Sequence, residues 1–183
     1  MKKLIAFIII VILCIVAYSP IKTHILKKYF YPEKYNNYVV EYSEKFDMDP
    51  MFVRAIIKTE SGFNPNAESN VGAMGLMQIT ATTGEFIAKN LGITNFTPSM
   101  LYNPQTNIEF GCWYLEYLSK QFNNNEELVA AAYNAGGAKV ASWLNNSAYS
   151  SNGLTLNSIP YAETANYVQK VQKYLNTYKE LYS

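Results

Sequence analysis

Hydrophobic residues recur along most of this chain with the spacing of amphipathic helices. A clear example begins at Asp49-Pro50, where an N-cap and a first-turn proline precede an apolar stripe. No convincing strand alternation is present, so the pattern predicts an all-α fold in a single globular domain, with at most short strand-like pieces. Helices are predicted at residues 33–46, 80–91, 103 to about 122, 126–133 and 161–181. A further helix starts at residue 50, and another, after residue 137, ends at about residue 144. The polar stretch at residues 145–158 is predicted to be a loop.

The N-terminus carries a different pattern, because two lysines precede the uncharged, strongly apolar run at residues 4–21. At about 1.5 Å per residue this run reaches roughly 27 Å, close to the hydrocarbon thickness of a bilayer. We therefore predict a signal-anchor at 1–21, a spacer at 22–32 and a globular domain at 33–183. A cleaved signal peptide is the alternative, because the strongly apolar part is short.

Composition and charge narrow the classes of function. The net charge is +1, from 15 basic and 14 acidic side chains, so nothing in the balance favours nucleic acid as a partner. The chain has one histidine and two cysteines, which are too few for a histidine- and cysteine-based metal cluster or a disulfide framework and argue against a Ser-His or Cys-His triad. We expect no metal and no cofactor. Cys112 lies in a helical pattern and is predicted to be a small core residue.

One short segment, residues 60–79, suggests a catalytic acid. Glu60 closes the apolar helix that starts at Asp49-Pro50, and a stretch rich in Gly, Asn and Ser follows it before the chain turns hydrophobic at residues 72–79, GAMGLMQI. Burial of Glu60 under that hydrophobic segment would raise the pKa of its carboxyl group. Taken alone, however, an acid at a helix end is usually a solvated charge or a structural pair.

Four blocks, in order, resemble the catalytic domain of the soluble lytic transglycosylase family. They are Glu60 to Gln78, with Ser61, Phe63, Pro65, Ala67 and Ser69; Asn103 to Ile108, continuing to Leu115; Ala132 to Gly136; and Ile159 to Thr164, continuing to Val168. The resemblance spans about residues 33 to 178. It implies a lysozyme-like, mainly helical fold that cleaves the β-1,4 bond between N-acetylmuramic acid and N-acetylglucosamine and leaves a 1,6-anhydromuramic product.

By position, the resemblance assigns the catalytic acid to Glu60. It implies that the substrate groove is lined by Ser69, Gly75, Gln78, Tyr133, Asn134 and Glu163. The chain departs from the family pattern at Thr80-Ala81, where Met-Pro is common, and at Ala165, where an arginine is frequent. The second departure affects how the groove handles anionic or peptide groups of the strand.

Several of these positions also have structural interpretations. Gly75 suits a turn, Tyr133 taken alone suits a core position, and Asn134 suits a helix end. Glu163 suits the first turn of a helix, where a negative charge favours the helix dipole.

The reaction we expect uses one protein carboxylate. No second acid stands at a matched nucleophile position, which is consistent with assistance from the N-acetyl group of the substrate. Tyr133 is expected to hydrogen-bond Glu60 or that N-acetyl group. The resemblance implies a peptidoglycan transglycosylase, and the apolar run at residues 4–21 predicts that it is anchored in the cytoplasmic membrane with its domain outside. A goose-type-like muramidase and an inactive peptidoglycan-binding or assembly protein remain the alternatives.

Overall fold

A computed structural model describes residues 20–182, and most of them are helical. From residue 36 onward, the helices are α1 Asn36–Lys45, α2 Pro50–Glu60, α3 Ala81–Leu91, α4 Pro104–Gln121, α5 Glu126–Ala135, α6 Gly137–Leu144 and α7 Ala162–Tyr182. A π-helical turn, Leu26–Phe30, precedes α1, and a 3-10 turn, Pro98–Tyr102, precedes α4. Two short strands, β1 Ala73–Met74 and β2 Ile79–Thr80, form a hairpin between α2 and α3. The predicted, mainly helical fold is confirmed for this part of the chain.

The predicted helix starts and stops agree with the local chemistry. The side chain of Asp49 accepts a hydrogen bond from the backbone N–H of Met51 at 2.7 Å, which caps α2. Asn103 caps α4 in the same way, through the N–H of Thr106 at 3.1 Å. At the end of α3, Gly92 has a φ of 73° and terminates the helix.

Two helix boundaries differ from the prediction, and backbone geometry explains both. The helix predicted at 33–46 starts only at Asn36, because Tyr35 has a φ of 57° and cannot belong to a right-handed helix. The helix predicted at 126–133 continues to Ala135 and ends where Gly136 takes a φ of 94°. The loop at 145–158 is confirmed.

Helix α2 lies at the centre of the hydrophobic core. The side chains of its predicted stripe are almost completely buried; they are Phe52, Val53, Ile56 and Ile57. Helix α7 packs along α2 through buried residues Thr164, Val168, Val171, Leu175 and Tyr178. Cys112 of α4 is also buried, as predicted. Since the first turns of α7 meet the last turn of α2, the fold brings the C-terminal end of α2 beside the N-terminal end of α7.

The buried side chain of Asn107 in α4 makes three hydrogen bonds that hold the hairpin in place. Its Oδ1 accepts a hydrogen bond from the N–H of Met77 at 2.7 Å. Its Nδ2 donates to the carbonyl oxygens of Met74, at 3.0 Å, and Leu101, at 2.7 Å. Strands of two residues are too short to be stable alone, so the hairpin depends on these buried contacts.

The first described residues contact the globular domain. The hydroxyl of Tyr182 donates to the carbonyl oxygen of Tyr31 at 2.6 Å, and the ring of Tyr31 meets Tyr178 edge-on at 5.2 Å. Within residues 20–182, no helix is both long enough and apolar enough to cross a membrane. The predicted anchor at 4–21 lies almost entirely outside the described residues and stays a prediction.

Candidate active site

The carboxylate of Glu60 lies where two cavities meet. The larger, which we call the groove cavity, has a volume of about 450 Å³. Its lining includes six of the residues singled out in the sequence, namely Glu60, Ser69, Gln78, Tyr133, Asn134 and Glu163. The second, which we call the α7 cavity, has a volume of about 390 Å³ and shares Glu60, Asn134 and Glu163 with the first. Because Glu60 lines both cavities, we refer to them together as the cleft.

The environment of Glu60 favours a protonated carboxyl group near neutral pH. Burial raises its pKa from 4.5 to about 7, and this effect outweighs two opposing ones. The hydroxyl of Tyr167 donates a hydrogen bond to Oε1 of Glu60 at 2.7 Å and lowers the pKa, and the positive charge of Lys170 lowers it further. A carboxyl with a pKa near the working pH can both donate and accept a proton.

Tyr133 supports the cavity wall rather than the acid. Its hydroxyl donates to the carbonyl oxygen of Met77 at 2.8 Å, so it fixes the hairpin to α5. The expectation that it hydrogen-bonds Glu60 is not met in the structure, because Tyr167 supplies that hydrogen bond. Burial raises the pKa of the Tyr133 hydroxyl well above its ordinary value, so this group stays a donor.

The hairpin side of the groove cavity presents Gln78 and Ser69. Nε2 of Gln78 donates to the carbonyl oxygens of Ala67, at 3.1 Å, and Gly75, at 3.0 Å. Its side-chain oxygen has no hydrogen-bond partner among residues 20–182. Oγ of Ser69 accepts from the N–H of Ala73 at 3.0 Å, which leaves its own O–H free to donate. Both side chains can therefore offer a polar group to a ligand.

Gly75 lies behind this wall instead of lining the cavity. It is buried, has a φ of 76°, and a side chain there would collide with the carbonyl oxygen of Leu101 and with Asn107. Only glycine tolerates both constraints. The position supports the turn interpretation of Gly75, while its predicted contact with substrate stays a prediction.

The opposite wall comes from the first turns of α7 and the end of α5. Oδ1 of Asn134 accepts a hydrogen bond from the hydroxyl of Thr164 at 2.8 Å, which ties the two helices together beside the cleft. Glu163 is exposed in the first turn of α7 and lines both cavities. It thus occupies both the helix-start position and the cleft.

Sequence reasoning included Tyr167 in the fourth block without a role in the site and missed Lys170. Both residues line the α7 cavity with Glu163. The three residues are spaced by four and then three positions, so they share one face of a helix. That spacing was visible in the sequence and could have identified both residues once Glu163 was assigned to the groove.

The carboxylates of the cleft are few. Among the described residues that line the two cavities, Glu60 and Glu163 are the only acids. The next acid along the chain, Glu68, lines neither cavity, and its Oε2 accepts a hydrogen bond from the hydroxyl of Tyr102 at 2.7 Å. Within residues 20–182, no group of three or more histidine, cysteine, aspartate or glutamate side chains is arranged so that it could hold a metal ion.

Known proteins resemble this chain over more than half of its length. The sequence profile of the Transglycosylase SLT domain matches residues 37–154. The soluble lytic murein transglycosylase of Salmonella typhimurium is 40% identical over 146 residues, which are 79% of this chain and 23% of that protein. A membrane-bound lytic murein transglycosylase C of Cronobacter sakazakii is 35% identical over 117 residues, 58% of this chain and 32% of that protein.

A solved structure is also similar. The 70 kDa soluble lytic transglycosylase of Escherichia coli superposes with a TM-score of 0.74 at 35% identity, over 82% of this chain and 25% of that one. The chain therefore spans only 23–32% of the length of these relatives.

Proposed function

Because the chain belongs to the Transglycosylase SLT domain family, we propose that it is a lytic murein transglycosylase with Glu60 as its proton donor. The observation that carries this proposal is the carboxyl group of Glu60, partly buried in a cleft, with a pKa of about 7. A free glutamate is almost fully ionised at neutral pH, so it could not serve as the acid without this environment.

In the first step, Glu60 donates its proton to the glycosidic oxygen as the bond from that oxygen to the anomeric carbon of N-acetylmuramic acid breaks. The oxygen of the substrate's N-acetyl group bonds to the anomeric carbon in its place. Since Glu163 is the only other acid of the described cleft, and is exposed, substrate assistance suits the site better than a protein nucleophile.

In the second step, the 6-hydroxyl oxygen of the same sugar attacks the anomeric carbon and displaces the N-acetyl oxygen. Its proton passes to the Glu60 carboxylate, which restores the acid and closes the 1,6-anhydro ring. Tyr167 is well suited to this cycle, because its hydrogen bond to Oε1 stabilises the carboxylate between the two steps.

The polar groups of the groove cavity would hold the sugar. The hydroxyl of Ser69 and the side-chain oxygen of Gln78 lie on the hairpin side, and Asn134 and Glu163 lie on the opposite side. Tyr133 fixes the hairpin that carries the first pair. In this proposal Gly75 acts on substrate indirectly, by allowing the hairpin its close packing.

We also propose that residues 4–21 anchor the enzyme in the cytoplasmic membrane, with the domain at 33–183 on the outer side and 22–32 as the connection. Support comes from the uncharged run after two lysines. Extraction of cell membranes with carbonate and protease treatment of intact spheroplasts would test this. The proposal requires a membrane-bound protein whose C-terminal domain is digested from outside.

The chemical test is digestion of purified sacculi by the full chain and by Glu60→Gln, with mass spectrometry of the products. Anhydro-muropeptides from the parent protein support transglycosylation. Reducing-end products would indicate the goose-type-like muramidase, and an absence of products would indicate a binding or assembly protein. Glu60→Gln should reduce product formation by a factor of about 100 or more, because the proton donor is lost.

Glu68→Gln is the matched control, because it removes an acid eight positions along the chain that lines neither cavity of the cleft. This variant should retain nearly the full activity of the parent. If Glu60→Gln also retained full activity, the assignment of Glu60 would be wrong.

A further inference from the structure

Four aromatic side chains form a connected surface on α3 and α4. Tyr117 is central, with its ring stacked near Trp113, at 5.6 Å, and near Tyr114, at 6.0 Å. Phe86 of α3 meets Tyr117 edge-on at 5.4 Å. Phe86 is 40% exposed and Tyr117 is 43% exposed. Large aromatic rings that stay this exposed while contacting each other present a shared apolar surface to solvent.

The surface is not needed to fill the core between the two helices. On the buried side, α3 contributes Ile87 and α4 contributes Phe110, and both are completely buried. Phe96 packs against Phe110 at 5.6 Å on this inner side. Phe86 and Tyr117 therefore form an outer layer on top of the buried side chains through which α3 and α4 pack.

This outer layer borders a third cavity of about 380 Å³, which we call the aromatic cavity. Its lining joins Phe86, Tyr114 and Tyr117 to polar side chains of Thr82, Thr83 and Gln121. Such a mixture of aromatic faces and a few polar groups is typical of small-molecule sites.

The aromatic cavity continues the groove cavity. Thr83 and Tyr114 line both of them. Tyr114 also meets Tyr133, which lines the groove cavity with Glu60, at 5.6 Å. Tyr114 and Tyr117 are neighbours on the same face of α4. A linear ligand in the groove cavity can therefore extend past Tyr114 to Tyr117.

We propose that Phe86 and Tyr117 form a distal sugar-binding platform, on which the glycan strand rests beyond the sugars held at Glu60. This inference rests on the proposed function. A pyranose ring has one face of C–H groups, which packs on an aromatic ring, and hydroxyl groups at its edge, which Thr82 and Gln121 can hydrogen-bond. The platform would favour long strands over short ones.

The test uses Phe86→Ala and Tyr117→Ala, each made in the full chain and again together with Glu60→Gln, which removes turnover and allows binding to be measured. The probes are peptide-free glycan tetrasaccharide and long peptide-free glycan strands. We expect each alanine variant to weaken binding of long strands about three- to ten-fold, with little change for the tetrasaccharide. In the active background, KM for long strands should rise while kcat is unchanged. Tyr117→Phe, which keeps the ring, should restore tight binding.

Tyr29→Ala is the control, because Tyr29 is 66% exposed and lines none of the three cavities. It should bind both probes like the parent. Thermal unfolding of every variant, followed by circular dichroism, checks that the fold persists.

Three outcomes would overturn the platform. The first is unchanged binding of long strands by both alanine variants while the parent yields anhydro products, which leaves the proposed function intact. The second is an equal loss for both probe lengths with a lowered unfolding temperature, which would mean that the rings support the groove wall. The third is a parent protein that neither binds nor cleaves glycan, which would remove the proposed function as well.

Discussion

The two walls of the cleft at Glu60 are built on different principles. The hairpin wall, residues 61–80, has almost no regular structure, and buried hydrogen bonds from Asn107 and Tyr133 hold it in place. The α7 wall is one face of a regular helix, with Glu163, Tyr167 and Lys170 spaced at helical intervals. One wall depends on a few buried polar contacts, and the other depends on a long helix with an apolar stripe.

Because of this difference, the two walls have different roles in the site. The hairpin wall determines the shape of the groove, since its position depends on groups that are paired inside the protein. The α7 wall adjusts the proton affinity of Glu60 against the larger effect of burial, since Tyr167 and Lys170 both lower the pKa of its carboxyl group. Substitutions should therefore affect stability in the first wall and pH dependence in the second.

The largest effect on stability is expected from Asn107→Leu. The substitution removes the three hydrogen bonds that the Asn107 side chain makes to the buried backbone at Met77, Met74 and Leu101. Each unpaired buried group costs about 1–3 kcal/mol, so the free energy of unfolding should fall by about 3–5 kcal/mol. Urea denaturation of the full chain measures the loss.

Thr164→Val provides the comparison in the α7 wall. It removes one hydrogen bond, to the exposed Asn134, and keeps the shape of the side chain. A loss of about 1 kcal/mol or less is expected. Equal losses for the two variants would contradict the contrast between the walls.

The next effect is a pH-dependent gain in stability for Glu60→Gln. The pKa of Glu60 is raised from 4.5 to about 7 in the folded protein, so the ionised carboxyl destabilises the fold. This cost is absent below about pH 4.5, develops as the pH rises toward 7 and is complete above it. The variant should therefore be more stable than the parent by about 1–3 kcal/mol at pH 8 and equally stable at pH 4.

Thermal unfolding at the two pH values tests this expectation. A gain of the same size at both pH values would mean that the glutamine packs better, and that burial of charge is not the cause. Glu68→Gln should show neither gain.

The sequence predicted the α7 wall better than the hairpin wall, and the physical reason is periodicity. The buried stripe of α7 repeats at helical spacing, so the helix and its approximate limits could be predicted. The partner of Glu60 could not, because contact between Glu60 and Tyr167 depends on how α7 packs against α2. Without that packing, Tyr133 was the more obvious candidate.

For the hairpin wall, the sequence predicted individual residues but not the structure that holds them. The resemblance to a family identified Ser69 and Gln78, and the glycines indicated turns, but no local pattern revealed two-residue strands. Their position is fixed by Asn107, which lies 30 residues from Met77 in sequence. Such long-range contacts between a side chain and the backbone have no sequence period, so only the structure reveals them.

A smaller effect is expected from Tyr167→Phe, which tests the α7 wall directly. The tyrosine hydroxyl stabilises the ionised form of Glu60, so its loss should raise the pKa of Glu60 above about 7. The alkaline limb of the profile of kcat/KM against pH should move to higher pH. We also expect kcat to fall about ten-fold, because the carboxylate loses a charge-assisted hydrogen bond in the second step.

Tyr133→Phe is the matched control from the hairpin wall, since its hydroxyl binds Met77 instead of Glu60. It should lower the unfolding temperature and leave the alkaline limb nearly where it is in the parent. A shift of that limb in Tyr133→Phe as large as in Tyr167→Phe would end the division of roles between the two walls.

The smallest effect is expected from Lys170→Met, because this lysine acts on Glu60 only through its charge. The side chain is exposed and forms no ion pair with the described residues, so salt screens its field. The alkaline limb of the activity profile should move slightly to higher pH in the variant. Added sodium chloride should move the limb of the parent in the same direction and leave that of Lys170→Met unchanged. A salt response that is equal in both proteins would show that other charges, and not Lys170, set the field at Glu60.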